Sequence, residues 1–170
     1  MKRSGLKYAI PALLVLLVGT GGASAQDIVF SMQASESCLS ELAAEQDAAE
    51  TCLGNSARAC MADTDGGRAA DGALACIQAE LAGWENRMNG SFVQRQVMDQ
   101  VADGEGAMPT PLEPLLQAMQ GQWLNYRDAR CDYIGFKEGG DEAFEERRDW
   151  CRLKLTGLQT LLLRGLVRNY

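Results

Sequence analysis

The sequence predicts an all-α domain of about four helices, arranged as two disulfide-tied antiparallel hairpins. Three observations lead to this prediction. Apolar residues recur every three or four positions in four segments of the chain, as they do along one face of an amphipathic helix. Six cysteines are enough for three disulfides. No segment shows the strict alternation of apolar and polar residues that is typical of a half-buried β-strand.

The first predicted helix covers residues 33–53. Cys38 and Cys52 fall on one face of it with Leu42, Glu45 and Ala49, so both cysteines should face the same neighbour. The Gly54-Asn55 pair ends this helix. The residues that follow hold Cys60 and an Asp-Gly-Gly breaker at 65–67, which predict a turn with at most a short helical piece.

A longer second helix is predicted over residues 68–102, with Cys76 near its start. Its apolar face contains Leu74, Ile77, Leu81, Trp84, Met88, Phe92 and Met98. If the first two helices form an antiparallel hairpin, the residue numbers of each facing pair add up to nearly the same value along the hairpin. This register favours disulfides between Cys38 and Cys76 and between Cys52 and Cys60, although four cysteines allow three pairings.

Residues 103–114 contain two glycines and three prolines, which end one helix and delay the next. We interpret this segment as a linker inside one domain covering residues 26–170. Either half alone would bury too little surface for independent stability.

The second hairpin is predicted from helices at residues 115–136 and 142–167, separated by a glycine-rich turn. Cys131 and Cys151 lie on opposite sides of this turn and are expected to bridge it, which the chain-entropy model values at about 3 kcal/mol. The expected core face of the third helix contains Leu112, Leu116, Met119, Trp123, Tyr126 and Tyr133. That of the last helix contains Phe144, Cys151, Leu155, Leu158, Leu162 and Leu166.

The N-terminus has the three parts of a signal peptide over residues 1–25. Lys2, Arg3 and Lys7 precede an apolar stretch at 9–18, and Ala-Ser-Ala at 23–25 forms the cleavage site. The apolar stretch is too short for a membrane span, and no cysteine near the cleavage site could accept a lipid. We therefore expect a periplasmic or secreted protein, without a membrane span in its mature form, in a compartment where disulfides form.

The mature chain is strongly acidic. Residues 26–170 contain 13 basic and 23 acidic side chains, a net charge of −10. This charge repels nucleic acid and anionic lipid, and it attracts cationic partners.

Motifs of catalysis and of cofactor binding are missing from the sequence. The chain has no histidine, no Cys-x-x-Cys, no nucleophile elbow and no phosphate-binding loop, so we expect no enzymatic activity, no metal and no cofactor. Paired carboxylates are frequent only because acidic residues are frequent. A hydrolase that uses two such carboxylates stays as an alternative, without a substrate to propose.

The densest motif lies at residues 120–131 in the third helix. Arg127 follows Trp123 by four residues, so its guanidinium can stack on the indole. Adjacent Arg127 and Asp128 are expected to point in different directions, which leaves Asp128 in need of a donor from another helix. The candidates for that donor are Arg148, Arg152 and the hydroxyl of Thr156. We favour an interpretation in which this cluster locks the two hairpins together over one in which it contacts a partner.

The same motif resembles that of a known family. Gln120, Trp123, Tyr126-Arg127-Asp128-Ala129, Cys131, Cys151 and Thr156, with Cys76, Trp84-Glu85, Met88-Asn89 and Phe92 upstream, are similar to the signature of the LprI family of exported lysozyme inhibitors. The likeness runs from Cys76 to about residue 160. The chain departs from the family at Gln159, where an arginine is usual, and at Met88 and Phe92, where leucine and tyrosine are usual.

The resemblance implies an exported, disulfide-containing helical protein that binds lysozyme or another cationic cell-wall hydrolase. It assigns a structural or partner-binding role to Trp84, Asn89, Trp123, Tyr126, Arg127, Asp128 and Thr156. The alternative is a structural or assembly protein of the periplasm without inhibitor activity. Consecutive Leu161, Leu162 and Leu163 favour that alternative, because one helix face cannot bury all three.

Overall fold

Five α-helices build the fold of the described chain, which is residues 27–42 and 46–165 of a computed structural model. They are α1 (Gln33–Glu41), α2 (Asn55–Asp63), α3 (Ala70–Gly104), α4 (Leu112–Ile134) and α5 (Phe144–Leu163). A 3-10 helix (Gln46–Cys52) precedes α2, and a π-helical turn (Gly135–Gly139) follows α4. Within the described ranges there is no β-strand, and the all-α prediction is confirmed. The predicted signal peptide and residues 166–167 of the predicted last helix lie outside those ranges.

The long helix α3 is the element on which the others assemble, since it packs against α2, α4 and α5. Its first half and α5 enclose the main core, with α2 and the 3-10 helix closing one side. The buried members of this core are Leu53, Ala57, Ile77, Leu81, Trp84 and Leu153. A side chain at Gly157 would collide with Leu53, so this glycine allows α5 to approach the 3-10 helix closely.

A second, smaller core lies further along α3, where α4 and the end of α5 meet it. Met88, Leu116 and Leu163 are its buried residues, and Phe92, Trp123 and Leu124 pack around them. Leu161 and Leu163 are both buried, and Leu162 is half-buried. The leucine triplet therefore leaves little apolar surface for a partner, contrary to the expectation from the sequence.

The predicted helix over residues 33–53 is wrong, because the chain divides there into α1 and the 3-10 helix. A continuous helix would separate Cys38 from Cys52 by about 21 Å at 1.5 Å per residue. Their Cα atoms instead lie 5.5 Å apart in a disulfide. The two cysteines do not face a common neighbour, but face each other across the break.

The expected pairing of the first four cysteines is wrong for the same reason. Cys38 bonds to Cys52, and Cys60 bonds to Cys76. The second of these disulfides fastens α2 to α3, and α2 is a nine-residue helix where the sequence predicted little more than a turn. The expected disulfide between Cys131 and Cys151 is present and joins α4 to α5.

The connection between α3 and α4 is shorter than the predicted linker, because α3 extends to Gly104 and α4 begins at Leu112. Asp103, near the end of α3, caps the start of α4. Its Oδ1 accepts a hydrogen bond of 2.7 Å from the backbone N–H of Leu112, and its Oδ2 accepts one of 2.9 Å from that of Glu113. The carboxylate satisfies two free N–H groups and lies at the positive end of the helix dipole.

Replacing Asp103 with alanine is expected to lower the free energy of unfolding by about 1 kcal/mol, as the loss of a helix cap does elsewhere. Urea unfolding of the oxidised protein would measure this loss. Asp99→Ala, one turn earlier on α3 and without a hydrogen bond to α4, is the matched control. Equal stability of the two variants would show that the cap contributes nothing.

The buried and exposed faces of α4 differ from those predicted. Its buried residues are Leu116, Gln120, Arg127 and Cys131. Met119, Tyr126 and Tyr133 are exposed, although the heptad spacing placed them in the core. With Leu115 they form one apolar stripe along the outside of α4, and Phe136 continues the exposed apolar surface into the π-helical turn.

Candidate functional site

The motif at residues 120–131 places a buried guanidinium where α3, α4 and α5 meet. Arg127 Nη1 lies 3.2 Å from Thr156 Oγ1 on α5 and 3.3 Å from Glu85 Oε1 on α3. The Trp123 ring centre lies 5.4 Å from the guanidinium carbon, within the range of a cation–π contact. One side chain of α4 is thus hydrogen-bonded to both neighbouring helices.

Arg127 also contacts its neighbour Asp128, contrary to the sequence prediction. Both Arg127 Nε and Nη2 lie 3.0 Å from Asp128 Oδ1. The prediction considered only the directions of the two Cα–Cβ bonds. The long arginine stem lets the guanidinium fold back along the helix and present its fork to the adjacent carboxylate.

Of the three donors expected for Asp128, Arg152 is the one that approaches it. Arg152 Nε lies 3.5 Å from Asp128 Oδ1 and makes no hydrogen bond to a described group, so the contact is an ion pair. Arg148 instead donates to Asp149 Oδ1 at 2.8 Å, which raises the pKa of its guanidinium above the ordinary value. The Thr156 hydroxyl accepts from Arg127. One of the three candidates, Arg152, is therefore the partner of Asp128, and Arg148 and Thr156 are hydrogen-bonded elsewhere.

An amide pair extends this cluster toward the second core. Gln159 Nε2 donates to Gln120 Oε1 at 2.8 Å, and Gln120 Nε2 lies 3.4 Å from Met88 Sδ. Gln159 and Met88 are two of the positions at which the chain departs from the family signature. Here both contact Gln120, so the position where the family usually has an arginine is occupied by a neutral hydrogen-bond donor.

The other motif residues lie apart from the Arg127 cluster. Asn89 is exposed on α3, and its side chain makes no hydrogen bond within the described ranges. Tyr126 is exposed on the outer face of α4, where its hydroxyl accepts a hydrogen bond of 2.7 Å from Arg130. Trp84 is buried in the main core and points to a different polar centre. The structure therefore brings together Trp123, Arg127, Asp128 and Thr156, and separates Trp84, Asn89 and Tyr126 from them.

The second polar centre is the fully buried carboxylate of Glu80 on α3. Its Oε1 accepts hydrogen bonds from Ser35 Oγ at 2.7 Å, Gly54 N–H at 2.9 Å and Trp84 Nε1 at 3.0 Å. Its Oε2 accepts from Ala57 N–H at 2.6 Å. Gly54 is the N-cap residue of α2 and Ala57 lies in its first turn, and this helix has no side-chain cap of its own. Glu80 thus caps α2 from another helix and is favoured by its dipole.

Ser35 and Ser56 complete this centre by a reciprocal contact. Ser35 N–H donates to Ser56 Oγ at 3.1 Å, and Ser56 N–H donates to Ser35 Oγ at 3.0 Å. The network joins α1, α2 and α3 without a counter-charge. Sequence reasoning missed it, although one signal was available: Glu80 occurs on the apolar face that also carries Ile77 and Trp84.

Both polar centres are filled by hydrogen bonds to the protein itself, which is the arrangement of a structural network. Among the described residues, no group of three or more histidine, cysteine, aspartate or glutamate side chains could hold a metal ion. No helix in that part of the chain is both long and apolar enough to span a bilayer. Side chains that contact a partner must therefore be sought on the surface.

Comparison with known proteins identifies the family. Neither the curated proteins nor the solved structures contain a match to the chain. The sequence model of the family described as lysozyme inhibitor LprI matches residues 60–163, which is 61% of the 170 residues. The match begins at Cys60 and covers α3, α4 and α5, while α1 and the 3-10 helix precede it. The chain therefore belongs to the LprI family of lysozyme inhibitors.

Proposed function

We propose that the protein is an exported, non-enzymatic binding protein that inhibits lysozyme or a similar cationic cell-wall hydrolase. The observation that carries the proposal is the family match over residues 60–163. The three disulfides suit an exported protein, because such bonds persist in oxidising compartments. The proposed signal peptide at residues 1–25 would direct the export, leaving residues 26–170 as one helical domain.

The distribution of charge supports a cationic target. Residues 26–111 contain four basic and 14 acidic side chains, whereas residues 112–170 contain nine of each. The whole net charge of −10 of the proposed mature chain thus belongs to its first part. The family-matched residues 60–163 alone carry 10 basic and 17 acidic side chains, a net charge of −7. A cationic enzyme would be steered toward α1, α2 and α3.

We assign the Arg127 cluster a positioning role in this function. Arg127 and Thr156 are buried, so a partner cannot reach them without unfolding the junction of the three helices. Their contacts fix the position of α3, one of the acidic helices, relative to α4 and α5. Exposed Asn89 and Tyr126 are motif residues that a partner could contact directly, and the Asp128 side chain is also accessible, at 45% exposed.

The proposal predicts that the mature, disulfide-bonded protein slows lysis of bacterial cell walls by lysozyme. Because the attraction between opposite charges is screened by salt, inhibition should weaken as salt rises from about 0.01 M to 1 M. A turbidity assay with a fixed lysozyme concentration would measure it. Lysis that proceeds at the same rate with and without the protein at low salt would contradict the proposal.

Neutralising two exposed acids in the first part of the chain is expected to weaken inhibition by about two- to thirtyfold, since each exposed charge pair contributes about 0.2–1 kcal/mol. Asp63→Asn combined with Asp71→Asn is the test, measured as the half-inhibitory concentration. Glu142→Gln combined with Glu145→Gln changes the net charge equally, also at exposed positions, and should have a smaller effect. Equal losses would show that only the net charge matters.

An assembly role in the cell envelope is the second candidate function. The apolar stripe of Leu115, Met119, Tyr126 and Tyr133 on α4 is the observation that favours it. Sedimentation equilibrium of the mature protein tests this alternative. A concentration-dependent dimer that Tyr133→Glu dissociates would support it, and a monomer at all concentrations would argue against it.

A further inference from the structure

An open cavity of about 330 Å³ lies between α2, the π-helical turn and α5, on the side of α5 away from the Arg127 cluster. Three cationic side chains line it: Arg58 from α2, and Arg147 and Lys154 from α5. Glu138 supplies the one carboxylate of its lining, while Trp150 and Ile134 supply apolar surface. Its volume falls within the range of small-molecule sites.

The cations of this cavity outnumber the acids that line it. Arg58, Arg147 and Lys154 form no ion pair with any side chain described in the structure, although the chain has more acidic than basic residues. Arg147, Trp150 and Lys154 follow one another by three and four positions, so they share one face of α5. The lining carries three positive charges and one negative charge, which favours an anion.

The aromatic wall of the cavity is held in place by α2. Arg58 Nη2 donates to Asn55 Oδ1 at 2.6 Å, and its guanidinium carbon lies 5.8 Å from the centre of the Trp150 ring. Gly54 has a φ of +92°, and a Cβ there would collide with the Trp150 ring. The glycine thus permits both the left-handed backbone and the close approach of the indole.

The frame around the cavity is covalently braced. Cys151, which also lines the cavity, is bonded to Cys131 and so ties α5 to the end of α4 just before the π-helical turn. The disulfide between Cys60 and Cys76 fastens α2, which carries Arg58, to α3. A site built on such fixed elements loses little conformational entropy when it binds a ligand.

We propose that this cavity binds a small anionic sugar, carrying either a carboxylate or a phosphate. The anionic group would contact Arg147, Lys154 and Arg58, whose N–H groups form charge-assisted hydrogen bonds with such oxygens. Glu138 would accept hydrogen bonds from the hydroxyl groups, and Trp150 would contact the apolar face of the sugar ring. This binding activity goes beyond lysozyme inhibition and does not depend on it.

Calorimetric titration of the mature, disulfide-bonded protein with four probes tests the proposal. N-acetylmuramic acid is the carboxylated sugar, and glucose 6-phosphate is the phosphorylated sugar. N-acetylglucosamine lacks the anionic group, and inorganic phosphate lacks the sugar ring. At least one anionic sugar is expected to bind about tenfold more tightly than either incomplete probe, a difference of about 1.4 kcal/mol. The tighter of the two sugars identifies the anionic group for which the cavity is suited.

Arg147→Ala combined with Lys154→Ala should weaken binding of the anionic sugar by at least about tenfold, by the same conversion. Arg68→Ala removes an exposed cation outside the cavity and should leave binding unchanged. Glu138→Gln should weaken sugar binding without weakening phosphate binding. The proposal is overturned if neither anionic sugar binds, if N-acetylglucosamine or inorganic phosphate binds as tightly, or if the Arg147/Lys154 variant, with its native melting temperature, binds as the wild type does.

Discussion

Glu80→Ala is expected to lower the free energy of unfolding by about 3–5 kcal/mol, the largest loss of any single substitution considered for this chain. The change removes the acceptor of four hydrogen bonds in a fully buried position. The N–H groups of Gly54 and Ala57, the Ser35 hydroxyl and the Trp84 indole would then lie buried without partners. Guanidinium unfolding of the oxidised protein measures the loss.

Two further variants separate the contribution of the Glu80 hydrogen bonds to stability from that of its charge and from the effect of removing an exposed acidic side chain. Glu80→Gln keeps one acceptor oxygen but turns an NH₂ group toward a backbone N–H, so we expect a loss of about 1–3 kcal/mol. Glu105→Ala removes an exposed acid just after α3 and should change stability by less than about 0.5 kcal/mol. A Glu80→Ala protein as stable as Glu105→Ala would refute the assigned network.

Arg127→Met is expected to lower the free energy of unfolding by about 2–3 kcal/mol. Loss of one partner from a fully buried ion pair costs about 3–5 kcal/mol. The cost here is smaller, because the partner side chains of Glu85 and Asp128 are 42% and 45% exposed and water can solvate them. Thermal and urea unfolding would measure the loss, with Arg130→Met, on the exposed face of α4, as the matched control.

The same cluster predicts a milder effect for Asp128→Ala. The substitution removes an acceptor of Arg127 and the ion pair with Arg152, so stability should fall by about 1 kcal/mol while binding of lysozyme changes less. The melting temperature and the half-inhibitory concentration should be measured on the same preparation. An unchanged melting temperature with weaker inhibition would mean that Asp128 contacts the partner and is not structural.

Hydrophobic periodicity predicted α3 and α5 within a few residues of their observed limits. The predicted core face of α5 was wrong, because its buried residues include Thr156, Gln159 and Thr160, whereas Leu155, Leu158 and Leu162 are only half-buried. The glycine and proline residues after position 103 likewise indicated the connection between α3 and α4. The same reasoning failed for residues 33–53. The spacing of apolar residues in the sequence is the same whether or not the helix is interrupted. The interruption follows only from the disulfide between Cys38 and Cys52, which a continuous helix could not form.

On α4 the apolar pattern indicated the wrong face. Gln120 and Arg127 are buried, and Met119 and Tyr126 are exposed. A polar residue can be buried when other helices supply its hydrogen-bond partners, as Gln159 does for Gln120 and as Glu85 and Thr156 do for Arg127. These partners lie about 30 to 40 residues away along the chain, so a local pattern contains no information on them.

Glu80 shows the same limit in another form. Its position between apolar residues of α3 indicated burial, but its four donors come from three separate segments. Only the docking of α1 and α2 on α3 brings Ser35, Gly54 and Ala57 to one carboxylate. The motif around Arg127, by contrast, could be assigned to the LprI family from the sequence, because its residues are contiguous on α4.

The most direct test of the central claim is calorimetric titration of lysozyme with the mature protein at low ionic strength. If the protein is an LprI-type inhibitor, we expect a saturable complex whose affinity falls with added salt and whose formation parallels the loss of lytic activity. The absence of any complex at about 0.01 M salt, where the Debye length is about 30 Å, would contradict the claim.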